Sequence, residues 1–375
     1  MPHAVICAYA RTPFAPAQKG ALAKIRPDEL LGQLLKGFLA KTNVTHADIE
    51  DLKVGCAFPE GEQGLNIGRI AVFLAGLPVS VGGVTINRFC GSSMQAIHDA
   101  VGAIACAAGE AFLCAGVESM SRIPMGGYNL LPHPKLYEAN PDVYIGMGET
   151  AENVAKKWNI SRADQDAFAL KSHQKAAAAK LTEEIIPVTR KEETIAEDGC
   201  IRPDTSLEKL ALLAPAFLAN GGVVTAGNAS PLTDGAAVVL VCSEAYADKK
   251  GLTKLARIKS FAVSGCSPEI MGIGPVEASR KALARAGVGI PQLDVIELNE
   301  AFASQSIACI RELGLDESKI NLDGGAIALG HPLGATGARI TGKAAQLLHR
   351  TGGQYALATQ CIGGGQGIAT VLEKV

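Results

Sequence analysis

The 375-residue sequence contains no apolar run long enough to cross a bilayer, which takes about 20 residues, and we expect no membrane insertion. It has no strong excess of either charge. The formal net charge of −2 gives no reason to expect binding to nucleic acid or to a membrane surface. The first residues are typical of a strand and show no signal-peptide pattern, which favours a cytoplasmic protein.

Metal and disulfide patterns are also missing, although the sequence has ten cysteines. There is no CxxC pair and no spacing typical of zinc ligands, so we predict no metal site. A chain of this length does not depend on disulfides. We expect most of the cysteines to be small core residues in a reducing compartment, namely Cys7, Cys56, Cys106, Cys114, Cys242, Cys266 and Cys309.

Hydrophobic residues make up 48% of the chain, which allows a large core. Helical and strand-like segments alternate, and this alternation predicts an α/β fold with a buried sheet. We predict helices at 27–41, 66–75, 92–108, 276–286, 301–312 and 334–351, and strands at 52–57, 83–87, 111–116, 295–298 and 354–358. The order of elements in the last third resembles that of residues 27–116, which predicts two similar halves.

The segment from 119 to 222 differs from both halves, because it is proline-rich at first and then charged. Two polar helices are predicted at about 149–158 and 161–181, the second starting with a capping-box pattern at Ser161 and Asp164. We therefore predict a first half at 1–118, completed by about 223–250, an inserted loop domain at 119–222 and a second half at 251–375. Most cations of the insertion fit solvated helix faces, and a few could contact a phosphorylated ligand.

Cys90 lies between a predicted buried strand and a predicted helix. A thiol at a helix N-terminus can be stabilised as the thiolate by the helix dipole, and Gly91 would let a ligand approach the turn. A small core cysteine is an equally good interpretation of this segment alone.

His331 and Cys361 are the other chemically distinctive residues. His331 stands between glycine and proline at a predicted helix start, where a reactive imidazole and a structural histidine both fit. Cys361 precedes three glycines whose backbone N–H groups could form an oxyanion hole, although a tight turn with an incidental cysteine also fits. Asn299 could cap the helix that follows it, or its amide could hold a water or polarise a carbonyl.

Together, these segments closely resemble the thiolase family over essentially the whole chain. The motifs that carry the resemblance are the nucleophile segment around Cys90, YARTPF at 9–14, TAGNAS at 225–230, MGIGP at 271–275, NEAFA at 299–303, GGAIALGHPLGATGAR at 324–339 and CIGGGQG at 361–367. The resemblance implies an α-β-α-β-α five-layer fold of two similar halves with an inserted loop domain that binds coenzyme A.

The resemblance also implies roles for individual residues. Cys90 would become acylated, His331 would activate it, and Cys361 would exchange a proton with the acetyl carbon. One oxyanion hole would be formed by His331 and by Asn299 through a water. The other would be formed by the backbone N–H groups of Cys90 and Gly363.

Coenzyme A would be a substrate, with no permanently bound cofactor. By similarity Ser230, Met147 and Phe302 would lie near its pantetheine arm and Arg202 near its nucleotide. Gly146 stands where many acetoacetyl-specific relatives have histidine, and residues 59–64 and 199–203 resemble degradative enzymes. We therefore expect a 3-oxoacyl-coenzyme A thiolase of fatty-acid β-oxidation.

Other activities are compatible with parts of this pattern. A biosynthetic acetyl-coenzyme A acetyltransferase is the second candidate, and a non-catalytic acyl-coenzyme A-binding protein of the same fold is a more distant one. A decarboxylating ketoacyl synthase would share the layered fold, but Cys361 and NEAFA argue against it. We expect a homodimer or homotetramer, with a β-oxidation partner subunit as a further possibility.

Overall fold

The computed structural model describes residues 3–375. The strands within this range are β1 Ala4–Arg11, β2 Ala15–Pro16, β3 Ile49–Gly55, β4 Gly82–Ile86, β5 Ala111–Ser119, β6 Val188–Arg190, β7 Glu193–Ile195, β8 Thr233–Ser243, β9 Ala256–Gly265, β10 Val295–Leu298, β11 Tyr355–Ile362 and β12 Gln366–Glu373. The α-helices are α1 Pro27–Lys41, α2 Ile67–Leu74, α3 Ser92–Ala105, α4 Pro134–Ala139, α5 Met147–Lys157, α6 Arg162–Ala178, α7 Leu207–Ala211, α8 Glu244–Lys250, α9 Gly274–Ala286, α10 Ala303–Leu313, α11 Ala326–Leu329 and α12 Leu333–Thr351.

One large sheet contains both halves of the chain. Its strand order is β10-β11-β12-β9-β1-β8-β5-β3-β4, with β2 beside β8. In the first half β3 runs parallel to β5, and β5, β8 and β1 then pair antiparallel in turn. In the second half β10 runs parallel to β11, and β11, β12 and β9 follow in the same antiparallel sequence. The two halves therefore share one topology, joined by a short β1–β9 pairing.

The helices divide the fold into layers. Helices α1 and α2 cover the outer face of the first half, and α9 and α10 cover that of the second. Helices α3 and α12 pack on each other between the two halves, and their apolar side chains share one core with strands of both. The predicted five-layer arrangement of two similar halves is confirmed.

Local sequence explains where the helices form. Helix α1 begins at Pro27, a favoured first position, and buries Leu30, Leu31, Leu34 and Phe38 on one face. Helix α6 begins at the predicted capping box, in which the Ser161 side chain accepts from Asp164 N–H and the Asp164 carboxylate accepts from Ser161 N–H. Within residues 3–375 no helix has both the length and the apolar character of a membrane span.

Three details differ from the prediction. Helix α10 begins at Ala303, with Phe302 and not Asn299 in the N-cap position. Cys106 is exposed, because α3 ends at Ala105 and the thiol lies beyond the buried face of the helix. Most of the other cysteines that were predicted to be core residues are buried, whereas Cys266 is half-buried.

Helices α5 and α6 of the insertion pack on the second half of the fold. Helix α5 contacts the 3₁₀ segment Pro268–Ile273 and α10, and α6 contacts α10 and α11. The first residue of α5, Met147, contacts a small apolar cluster that includes Phe302 and Cys361. The insertion therefore reaches the region where the predicted reactive residues lie.

Candidate active site

Cys90 occupies a tight turn between β4 and α3. Phe89 has a left-handed backbone with φ of 43°, a conformation that is costly for a bulky residue. Three local hydrogen bonds hold the turn: Phe89 N–H donates to Asn87 Oδ1, and Ser92 Oγ accepts from Arg88 N–H and donates to Phe89 O. This turn holds Cys90, whose side chain lines a cavity.

Gly91 packs against the second half of the fold. A Cβ atom there would lie 2.5 Å from Ile362 Cδ1 of β11. Gly91 is itself buried. Glycine therefore lets the start of α3 approach β11 closely, and the expected approach of a ligand at Gly91 stays a prediction.

Burial raises the pKa of the Cys90 thiol to about 12, against a hydrogen bond from Gly363 N–H that lowers it. Burial therefore opposes the thiolate that the start of α3 was expected to favour. With a raised pKa, a nucleophilic role for Cys90 would require a base that takes the thiol proton.

His331 lies two residues before α12 and lines the same cavity as Cys90. Its Nδ1 lies 2.6 Å from Thr336 Oγ1, and the Thr336 hydroxyl donates to Pro332 O at 3.2 Å. This arrangement favours the tautomer with the proton on Nδ1 and the lone pair on Nε2. Burial and, to a smaller extent, Arg339 lower the pKa of His331 to about 3, so its imidazole is neutral at physiological pH.

Asn299 directly follows β10 and lies beside His331. Its Nδ2 is 3.5 Å from His331 Nε2, and the side chain is buried. Its Oδ1 is also buried and has no hydrogen-bond partner within residues 3–375. An unpaired buried amide oxygen is a favourable place for an ordered water.

Cys361 is the last but one residue of β11 and faces the same space. Burial raises the pKa of this thiol well above its ordinary value, and the neighbouring Cys90 raises it further. The hairpin turn to β12 follows directly, with Gly364 and Gly365 at φ of 77° and 78°. This left-handed turn, which favours glycine, places Gly363 N–H against Cys90.

One cavity of about 480 Å³ contains the three reactive side chains, a size typical of a small-ligand site. Cys90, His331 and Cys361 line it, and the remaining lining is mostly apolar. Of the residues predicted to contact coenzyme A, Ser230, Met147 and Phe302 also line it. The structure thus brings together six residues that the sequence places far apart.

Arg202 lies elsewhere. Its side chain is exposed and does not line the cavity. Its backbone N–H donates to His173 Nδ1, which ties the loop to α6. The predicted contact between Arg202 and the coenzyme A nucleotide stays a prediction.

Glu118 is a site residue that the sequence analysis missed. Its buried carboxylate accepts hydrogen bonds from Ala57 N–H at 2.8 Å, Gly334 N–H at 2.9 Å and Gln63 Nε2 at 2.8 Å. The Glu118 carboxylate therefore joins the loop after β3 to the first turn of α12, the helix that begins two residues after His331. The available signal was one acidic residue near the end of an otherwise apolar strand, β5.

Comparison with known proteins matches the chain along nearly its whole length. Residues 4–245 match the description "Thiolase, N-terminal domain" and residues 252–374 match "Thiolase, C-terminal domain". The chain is 46% identical to a 3-ketoacyl-CoA thiolase of Bacillus subtilis and to one of Vibrio vulnificus, over all of each protein. Its fold resembles the crystal structure of the Bacillus anthracis acetyl-CoA acetyltransferase, with a TM-score of 0.91 and 38% identity over 100% of this chain and 99% of the other.

Proposed function

This chain belongs to the thiolase family and is an acyltransferase, and we propose that it cleaves 3-oxoacyl-coenzyme A with coenzyme A to give acetyl-coenzyme A and a shortened acyl-coenzyme A. The observation that carries this proposal is the convergence of Cys90, His331 and Cys361 on one apolar cavity. A single thiol and base would be enough for thioester exchange. The second thiol fits a reaction that also makes or breaks a carbon–carbon bond.

The first half-reaction uses Cys90 as the nucleophile. His331 Nε2 takes the thiol proton, and the sulfur attacks C3 of the substrate. The C2–C3 bond then breaks, and its electron pair forms the enolate of acetyl-coenzyme A. Cys361 protonates C2 of that enolate, which releases acetyl-coenzyme A and leaves an acyl-Cys90 thioester.

The second half-reaction returns the acyl group to coenzyme A. Cys361, now a thiolate, takes the proton of the incoming coenzyme A thiol. The resulting sulfur attacks the acyl-Cys90 thioester, and the Cys90 thiolate leaves and is reprotonated by His331. Two products thus depart in ping-pong order.

Developing negative charge on oxygen needs donors in both half-reactions. His331 Nε2–H, once formed, and a water held by Asn299 supply one pair. The N–H groups of Cys90 and Gly363 supply the other, beside the sulfur that carries the acyl group. The position of Gly363 N–H at the Cys90 thiol supports this assignment.

The insertion contributes Met147 to the proposed wall for coenzyme A, and Phe302 and Ser230 outside the insertion complete it. Met147 of α5 and Phe302 lie together in one apolar cluster beside Cys361, and Ser230 lines the same cavity. The pantetheine arm fits along this wall. Residues 119–222 are accordingly proposed as the coenzyme A-binding domain between halves at 1–118, with 223–250, and 251–375.

The preferred direction is degradative, in fatty-acid β-oxidation, by a homodimer or homotetramer. The largely apolar lining of the cavity and the names of the two relatives at 46% identity support this choice. The name of the structural relative supports the second candidate, acetyl-coenzyme A acetyltransferase. The absence of histidine at Gly146 favours the degradative enzyme.

Substrate length separates the two candidates. Thiolysis is measured with 3-oxoacyl-coenzyme A substrates of 4 to about 16 acyl carbons, a range that covers small to large apolar chains, beside condensation of acetyl-coenzyme A. We expect cleavage of the six-carbon and longer substrates at least as efficient as that of acetoacetyl-coenzyme A. A steep fall in kcat/KM beyond four acyl carbons would assign the biosynthetic role instead.

A further inference from the structure

The two cysteines of the site lie against different apolar walls. Cys361 belongs to a cluster with Met271, Phe302 and Met147, which the proposed function assigns to the pantetheine side. Cys90 packs on a separate cluster that contains Met120 and Leu333 together with Ala57. Met120 and Leu333 also line the cavity. The cavity therefore has one wall on the Cys361 side and another on the Cys90 side.

The stereochemistry of the reaction assigns a different part of the substrate to each wall. When the Cys90 sulfur has attacked C3, that carbon is bonded to sulfur, oxygen, C2 and C4. C2 must face Cys361 to exchange its proton, and the pantetheine arm continues on that side. C4 and the rest of the chain must then point away from Cys361, towards the wall behind Cys90.

Met120 is the fixed part of that wall. It follows β5 directly and is only 5% exposed. Its Sδ accepts a hydrogen bond from Thr233 N–H at 3.4 Å, and Thr233 Oγ1 accepts from His331 N–H at 3.1 Å. The same residue, Thr233, thus sets the position of both Met120 and His331.

The cavity continues outward along apolar side chains. Met125 and Leu232 line it and are 48% and 50% exposed. The exposed Leu130 and Leu131 follow Met125 in the chain. The lining of the cavity thus includes the buried Met120 and also apolar side chains at the protein surface.

We propose that Met120, with Leu333, forms the inner wall of an acyl-chain compartment and that Met120 is a specificity-determining residue for chain length. The inference rests on the proposed acyl-Cys90 intermediate. A short acetyl group on Cys90 would stop before Met120, whereas a medium-length chain would have to pass it. A larger side chain at this position would therefore exclude long chains and spare short ones.

The test measures how fast saturated acyl-coenzyme A thioesters acylate Cys90. The acylated protein is quantified by mass spectrometry after acid quenching. This half-reaction breaks no carbon–carbon bond, so it reports the acyl compartment independently of thiolysis. The quantity compared is the ratio of the octanoyl rate to the acetyl rate. We expect Met120→Trp to lower this ratio by at least about tenfold, the effect of a misfit of one or more methylenes in an apolar pocket.

Three further variants make the result specific. Met120→Leu conserves volume and should keep the ratio within about threefold. Met120→Ala enlarges the compartment and should not lower the ratio. Met271→Trp obstructs the opposite wall and should slow both acyl groups alike, so that the ratio is unchanged.

The outcomes separate this inference from the proposed function. If wild-type protein forms no acyl-Cys90, the proposed function fails. If it does, and Met120→Trp leaves the ratio unchanged or slows acetyl and octanoyl transfer equally, the compartment lies elsewhere or Met120 is only structural. A fall in the ratio after Met120→Leu or Met120→Ala, or a comparable fall after Met271→Trp, would also overturn the assignment.

Discussion

Asn299 Nδ2 lies 3.5 Å from Nε2 of His331, and both side chains are buried. In the tautomer with the proton on Nδ1, which the contact with Thr336 favours, Nε2 can only accept. In the proposed mechanism it becomes a donor to an oxyanion only after it has taken the proton of Cys90. In this mechanism His331 Nε2 therefore first activates the nucleophile and then donates to the oxyanion.

Replacement of Asn299 by alanine should reduce catalysis more than stability. The variant loses the amide that holds the proposed water, and loss of one oxyanion donor typically costs about 10²–10³-fold in kcat. Thiolysis kinetics and thermal unfolding, measured on the same preparation, test this. An Asn299→Ala protein with wild-type kcat would show that the amide plays no part in charge stabilisation.

Cys361→Ser should separate the two halves of the reaction. A hydroxyl is too weak an acid to protonate the enolate, and a positioned acid or base contributes about 10²–10⁴-fold. Thiolysis and condensation should therefore fall steeply, while acylation of Cys90 from a simple acyl-coenzyme A should persist. His331→Ala is the matched comparison, because it should slow both steps. Retention of full thiolysis in Cys361→Ser, or loss of acylation as complete as in His331→Ala, would show that this division of roles is wrong.

Alkylation of Cys90 should keep accelerating at alkaline pH. Only the thiolate reacts with iodoacetamide, and burial raises the pKa of Cys90 to about 12. In the free protein the rate should therefore rise about tenfold per pH unit from about pH 7 to 10. No inflection is expected near the ordinary histidine pKa of about 6.5, because His331 is already neutral there. Peptide mapping also measures alkylation of the exposed Cys106, which serves as an internal reference. A plateau of the Cys90 alkylation rate below pH 9 would contradict the prediction.

His98 should make the protein less stable in mild acid. It stacks on Phe261 with 4.2 Å between ring centroids and pairs with Thr370 Oγ1 at 2.8 Å. Burial first, and then Arg88, lower its pKa to about 3. Between that value and about 6.5 the unfolded chain binds more protons, so stability is lost as pH falls through this window.

His98→Gln removes this proton-binding site and can keep a hydrogen bond to Thr370. The loss of unfolding free energy between about pH 7.5 and 5.5 should be about 1.4 kcal/mol smaller in the variant. Denaturant unfolding at the two pH values measures it. The exposed His349 provides the control, and an equal effect of His349→Gln would remove the link to burial.

Glu118→Gln should weaken both the fold and the site. The carboxylate accepts from three backbone N–H groups and from Gln63 Nε2. A carboxamide offers one oxygen and turns an NH2 group towards these donors, which costs about 1–3 kcal/mol for each buried group left unpaired. We expect a lower Tm and a lower kcat, since Gly334 lies in the first turn of the helix that follows His331. An unchanged Tm would show that the carboxylate is not needed for this junction.

Sequence patterns predicted the parts of the fold that depend on local periodicity. Helix α1 occupies the predicted residues 27–41 because its apolar spacing and its proline at the first position agree. The end of β5 was less predictable, because the strand continues through Glu118 and Ser119 while their partners come from distant segments. Long-range hydrogen bonds of this kind leave no local periodicity.

The site shows the same limit. Motif resemblance named Cys90, His331 and Cys361, and the structure brings them to one cavity. It gave no indication that burial would raise the pKa of Cys90, because desolvation depends on the packing of both halves. The close contact between Gly91 and Ile362 was not predictable either, since Ile362 lies 271 residues further along the chain and only the fold brings the two together.

Because α3 and α12 pack on each other between the two halves, the stability of each half depends on the other. Each half contributes one of these helices, and the apolar side chains between them belong to a core that neither half completes alone. A chain cut near residue 251, between α8 and β9, would leave each fragment with a large unsatisfied apolar face. The fragments should therefore bind each other or aggregate, and activity should return only upon reassembly. For the same reason we expect the two halves of the intact chain to unfold together.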